Sequence, residues 1–119
     1  MANEWTALKT LWSSFGLTAY DETTVPETAE LPYITYESQV SGLDETVILT
    51  ASLWYRAMSW TEISEKAKEI GDSIGGGFGV GYGTGRLWVT KAVPFAQRVS
   101  EPNDEQIRRI ILQINAEFQ

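Results

Sequence analysis

The chain predicts an α+β fold, a single domain in which a mostly antiparallel sheet of about five to six strands packs with two helices. Two segments, 3–15 and 59–74, repeat apolar side chains at helical spacing. Four others, 33–37, 46–56, 86–92 and 107–118, alternate with the period of a strand. The 119 residues contain no internal repeat and no low-complexity linker, so one domain spans 1–119.

In the first segment Trp5, Leu8, Leu11, Trp12 and Phe15 form an aromatic-rich stripe, with Asn3 placed to cap the start and Gly16 to end it. That stripe is expected in the core. A short strand follows at 17–20, then an acidic connection at 21–31 bearing Thr and Pro but no periodicity. In PYITYES, Ile34 and Tyr36 alternate with Tyr33, Thr35 and Glu37. After a turn at 41–44, TVILTASLWYR carries apolar groups on both faces, as a central strand does.

Ser59 and Glu62 stand at capping-box spacing for the second helix. Its buried face is expected to hold Trp60, Ile63, Ala67, Ile70 and Ile74, with Glu62, Glu65, Lys66, Lys68 and Glu69 mostly opposite. Beyond the glycine run, RLWVTKA reads as a strand and 93–104 as a long connection. The closing segment sets Ile110, Leu112, Ile114, Ala116 and Phe118 on one face and Gln113, Asn115 and Glu117 on the other. Such regularity fits a strand inside an antiparallel sheet with one wet side.

The run IGGGFGVGYGTGRLWV at 74–89 admits three readings. A dinucleotide fingerprint needs glycines at i, i+2 and i+5 opening a helix after a strand. No trio here has that spacing, and the run follows a helix. No Gly-Lys pair exists for a P-loop. Flexible linkers put small polar residues between glycines, whereas here stand Phe78, Val80 and Tyr82. A strand remains, with Phe78, Val80, Tyr82 and Thr84 on one face and Gly77, Gly79, Gly81, Gly83 and Gly85 on the other. Repeated glycine on one side implies close approach to the backbone, and a turn near 83–85 returns the chain. On this reading valine at Gly79 or Gly81 breaks folding or assembly, while Thr84→Val is tolerated.

Histidine and cysteine are both absent. That removes the usual neutral-pH base, thiol nucleophiles and nearly every zinc site. None of the serines lies in Gly-x-Ser-x-Gly. Paired carboxylates are the remaining catalytic option, and the candidates Asp21-Glu22 and Asp44-Glu45 fall in expected loops where solvated acids are the ordinary case. The expectation is no enzyme, no metal and no cofactor. The N-terminus lacks a signal-peptide pattern, and no apolar run approaches the ~20 residues of a membrane span. A soluble protein, first present in a cytoplasm and with no membrane partner, is expected.

Sixteen acids against nine bases give a net charge of −7, which opposes general nucleic-acid binding. The charge is uneven: residues 21–45 hold seven acids and no base, while Arg86, Lys91, Arg98, Arg108 and Arg109 lie in the C-terminal third. Such polarity suits a subunit whose acidic side meets the basic side of an identical neighbour. The candidate interface residues are therefore Asp21, Glu22, Asp44, Glu45, Gly79, Gly81, Arg86, Arg98 and Arg108, with contact segments at 21–31, 40–45 and 93–104.

The N-terminal helix, LPYITYE after an acidic loop, TVILTASLWYR, TEISEKAKEIGDSI and the closing RRIILQINAEF cover most of the chain. In this order they resemble the phage tail-terminator and tail-completion (head-tail joining) proteins. The five tryptophans and the glycine strand depart from that pattern. The resemblance implies a homo-oligomeric ring, a hexamer, that caps the tail tube and joins it to the head. Its partners would be the tail tube protein and a neck or connector protein, with DNA passing through the lumen without specific binding. Its location would be the virion. A ligand- or peptide-binding adaptor using exposed aromatics is the alternative.

Overall fold

The computed structural model describes residues 3–40, 45–101 and 104–119. Elements follow in the order α1 (Glu4–Ser13), β1 (Thr18–Asp21), β2 (Tyr33–Tyr36), β3 (Thr46–Arg56), α2 (Thr61–Ile74), β4 (Phe78–Tyr82), β5 (Gly85–Val99) and β6 (Ile107–Phe118). The six strands form one sheet in the order β1-β2-β3-β6-β5-β4. Only β1 and β2 run parallel; every other neighbouring pair is antiparallel. The fold class is the expected one, α+β.

The strand alternation decides where the core lies. Ile110, Leu112, Ile114, Ala116 and Phe118 of β6 are all buried, and each intervening residue is partly exposed. Across the ladder, Leu53, Ala51 and Leu49 of β3 pair with Ile110, Leu112 and Ile114, so the apolar sides coincide. On the other flank Leu87 and Val89 of β5 pair with Phe118 and Ala116. Both helices cover this one face. Leu8, Leu11 and Trp12 of α1 and Ile63, Ala67, Ile70 and Ile74 of α2 close the core over it. Among the described residues, the opposite face of the sheet carries no helix.

Asn3 caps α1, its side chain accepting from the Thr6 N–H at 3.0 Å. Trp5 is not in the core but 53% exposed. The buried arc of α1 is centred on Leu8 and Leu11, and Ala7 completes it on the side opposite Trp5. The second helix also departs from expectation. It begins at Thr61, with Trp60 in the capping position and no side-chain cap. Ser59 only reaches the Thr61 N–H, at 3.4 Å, so the Ser59–Glu62 capping box is not formed. Trp60 itself is half-buried at the rim of the core.

Segment 93–99, expected as part of a connection, instead continues β5 to Val99. The pairing with β6 shifts register between Lys91 and Ala96. Pro94 lies inside that irregularity, on a stretch with no second strand beside it, where a missing N–H breaks no ladder. The expected turn at 41–44 lies outside the described residues.

The glycine run is a strand. Val80 and Tyr82 of β4 are buried, and Phe78 is partly so, packed against the core. The hairpin closes through Gly83 and Thr84, with Gly83 at φ +48°, a left-handed conformation that glycine adopts without strain. What approaches the glycine side is the neighbouring strand. A Cβ on Gly77 would lie 2.0 Å from the Trp88 ring, and one on Gly79 would lie 2.8 Å from the Arg86 guanidinium. A Cβ on Gly81 would meet nothing within 4 Å. The folded chain thus requires the glycine side in part only. Gly77→Ala is expected to cost about 1–3 kcal/mol by driving the indole of Trp88 from its seat. Gly81→Val is expected to leave stability unchanged or slightly raised, a β-branched residue favouring a strand. Denaturant melts of the two variants check this.

Candidate subunit interface

The candidate residues fall in three places. Asp21 and Glu22 end β1 at one edge of the sheet. Gly79, Gly81 and Arg86 share the outer side of the β4–β5 hairpin at the other edge. Arg98 and Arg108 come together around Trp60, at the start of α2. Glu45 precedes β3 and is exposed; Asp44 lies outside the described residues.

Asp21 is held by its own chain. Its carboxylate accepts from the Ser38 hydroxyl, from the Thr23 hydroxyl at 2.7 Å and from the Thr23 N–H at 2.9 Å. These bonds, the one from Ser38 foremost, hold its pKa below the ordinary aspartate value, against a small opposing effect of burial. Asp21 therefore ties the β1 end to the segment after β2. Glu22 donates its backbone N–H to the Tyr36 carbonyl at 3.0 Å and leaves its carboxylate exposed.

The arginines are organised by tryptophans. Arg86 lies over the Trp88 ring at 4.7 Å, Arg109 over Trp54 at 4.6 Å, and Arg98 and Arg108 over Trp60 at 5.0 and 5.4 Å. A guanidinium over an indole face is attracted by the ring quadrupole and by dispersion, about 0.5–1 kcal/mol at an exposed site. Arg108 also donates to the Met58 carbonyl at 2.5 Å and to that of Glu105 at 2.8 Å, which ties the entry of α2 to β6. Arg98 donates to the Ser64 hydroxyl at 3.2 Å.

The described ion pairs are Arg56–Asp104, Lys66–Glu69, Lys68–Asp72 and Arg109–Glu101. None joins Asp21 or Glu22 to Arg86, Arg98 or Arg108 within the chain.

Sequence reasoning missed the Trp–Arg stacks. One was legible, because Arg86 and Trp88 are two residues apart on a strand and so share a face. The Trp54–Arg109 stack follows from the register of β3 with β6, which pairs those two residues directly. The Trp60 stack exists only because α2 packs over β5 and β6. Beside Trp54 opens a cleft of about 700 Å³ lined by Leu31, Tyr33, Arg56, Glu101 and Asp104 among others. The indole N–H of Trp54 donates to the Thr35 hydroxyl at 2.9 Å, fixing the ring at the cleft wall. Among the described residues no group of acids is placed to hold a metal ion, and no helix is long and apolar enough to cross a membrane.

A comparison with solved structures matches this chain to one from the virion of a native gene transfer agent particle. The TM-score is 0.57 and the identity 22%, over 91% of this chain and 83% of that chain. The likeness is one of fold. No protein-family model and no curated protein matches the chain.

Two outcomes follow from the site itself. The lowered pKa of Asp21 means that its hydrogen bonds contribute stability in full above the ordinary aspartate value near about 4. That contribution is lost as pH falls through the lower folded-state value. Asp21→Asn should therefore melt below the parent protein at pH 7, the gap closing toward pH 2, as followed by circular dichroism. Trp60→Ala removes the platform for two guanidinium groups and part of the core rim. It is expected to destabilise the fold by about 2–4 kcal/mol, measured by urea unfolding.

Proposed function

We propose that the chain is a non-enzymatic structural subunit of a phage-like virion, a tail terminator whose copies form a ring, a hexamer, on the end of the tail tube. The observation that carries this reading is the shared fold with a chain of the gene transfer agent virion, extending over 91% of the present chain. The resemblance of its segments to tail-terminator proteins points the same way. So does the chemistry, since histidine and cysteine are absent and one carboxylate of the Asp21-Glu22 pair, Asp21, is engaged in anchoring a loop.

In this role the tail tube protein and a neck or connector protein would be the partners above and below the ring. A chain of net charge −7 suits a lumen through which DNA slides, since basic walls would hold phosphates. Assembly in the host cytoplasm would precede incorporation into the virion. A different neck or tail-completion subunit would keep the same fold and the same kind of contacts. The cleft beside Trp54 favours a second reading, an aromatic-rich peptide or ligand adaptor.

The test is electron microscopy of the purified chain added to tail tubes lacking their terminus. Rings seated on tube ends, with tube length fixed after addition, are the expected result. Tubes that stay bare and continue to lengthen would overturn the terminator reading.

A further inference from the structure

We propose that copies of this chain associate head to tail, the acidic connection 22–30 of one copy lying along the free edge of β5 and the α2–β5 cleft of the next. The proposal rests on the subunit reading above and goes on to name the two surfaces.

The receiving surface is built where β4 stops short. β4 pairs with β5 only from Gly85 to Val89. Past Val89, Thr90, Lys91 and 96–99 pair with β6 alone, and 92–95 form the irregularity between them, so among the described residues no second strand pairs with β5 from Thr90 to Val99. An open strand edge is a template for another extended segment. Val93, on this stretch, is 98% exposed. Alongside runs a cleft of about 370 Å³ between α2 and β5, with Ala67, Gly71, Phe95 and Ile110 in its lining. Lys91 and Arg98 also line it. Among the described residues neither cation has a carboxylate partner: the ion pairs lie elsewhere, and Arg98 is held by Ser64 and Trp60.

The inserting surface has the complementary property. Glu22, Glu27 and Glu30 are exposed. No cation pairs with any of the three among the described residues, and residues 22–30 contain no base. The chain thus carries unpaired acids on one surface and unpaired bases on another.

The sheet order separates them. The 22–30 connection joins β1 to β2 at one end of the sheet, whereas β5 and β4 stand at the other. One copy cannot satisfy both surfaces by folding on itself. Two different patches on opposite edges make a heterologous contact, which repeats from copy to copy and forms a ring where the rotation between copies closes. Charge complementarity sets the register, and the open backbone edge and the apolar cleft supply the contact.

The experiment uses the full chain in analytical ultracentrifugation over a concentration series at about 0.05 and about 0.5 M salt. Concentration-dependent association that weakens at the higher salt is expected. Glu27→Lys with Glu30→Lys, and separately Lys91→Glu, should each weaken association at least about tenfold without changing the far-ultraviolet spectrum. Mixing the two variants should restore association, because each now carries the charge the other lacks. Should Lys91→Glu misfold, Lys91→Gln takes its place beside the loop variant; each should still weaken association, and the mixing arm is then omitted. Amide exchange in 90–99 should slow on assembly. A chain that stays monomeric throughout overturns the proposal. So does association that ignores both variants, or a mixture that fails to recover. If copies associate in spite of both variants and still seat on tail tubes, the surfaces named here are wrong while the terminator reading stands.

Discussion

β6 meets β3 on one side and β5 on the other along most of its length, and its five buried residues, Ile110, Leu112, Ile114, Ala116 and Phe118, all point one way. A one-residue slip in either ladder would turn Ile110 through Phe118 out into water, so this central register is strongly specified. Everything else follows from the side those residues choose. The two helices must cover that face, because that is where the unpaired apolar surface lies. The result is a two-layer molecule, helices on one face and open sheet on the other.

Among the described residues no second layer dries the open face, and its solution is chemical. Trp54 and Trp88 would be exposed apolar rings on a wet sheet. Each carries a guanidinium over it, from Arg109 and Arg86. The planar guanidinium covers ring carbon and keeps donors at its rim for other partners, as Arg109 bonds Ser52 and pairs with Glu101. Ser52 and Thr35 beneath are buried as a result, and each is hydrogen-bonded, to Arg109 and to Trp54. The glycine strand belongs to the same arrangement, since Gly77 and Gly79 leave room for Trp88 and Arg86 to lie flat. A feature that looks like a loop motif is the floor under an aromatic–cation stack.

This placement bears on function because it shows which charges the chain has already used. Arg109 and Arg56 are paired with acids, and Asp21 is committed to Ser38 and Thr23. Among the described residues, Arg86 and Arg98 hold indoles yet keep no carboxylate, and the glutamates of 22–30 keep no cation. The head-to-tail contact proposed above uses these remaining charges.

Period and punctuation in the chain determined most of the elements: β3, β6, both helices, and the strand nature of the glycine run. Alternation with period two and apolar stripes at helical spacing are local properties, and burial of one face follows from them directly. Three features were decided only in three dimensions. Residues 93–99 extend β5 because β6 lies alongside to pair with 96–99 once the irregularity around Pro94 is passed. Trp5 is exposed and Trp60 sits at the rim because the breadth of a helix's buried arc depends on what it lands on. Arg109 found Trp54 through ladder register, and Arg98 and Arg108 found Trp60 through helix docking; neither is encoded in the spacing of residues along one segment, as the Arg86–Trp88 stack is.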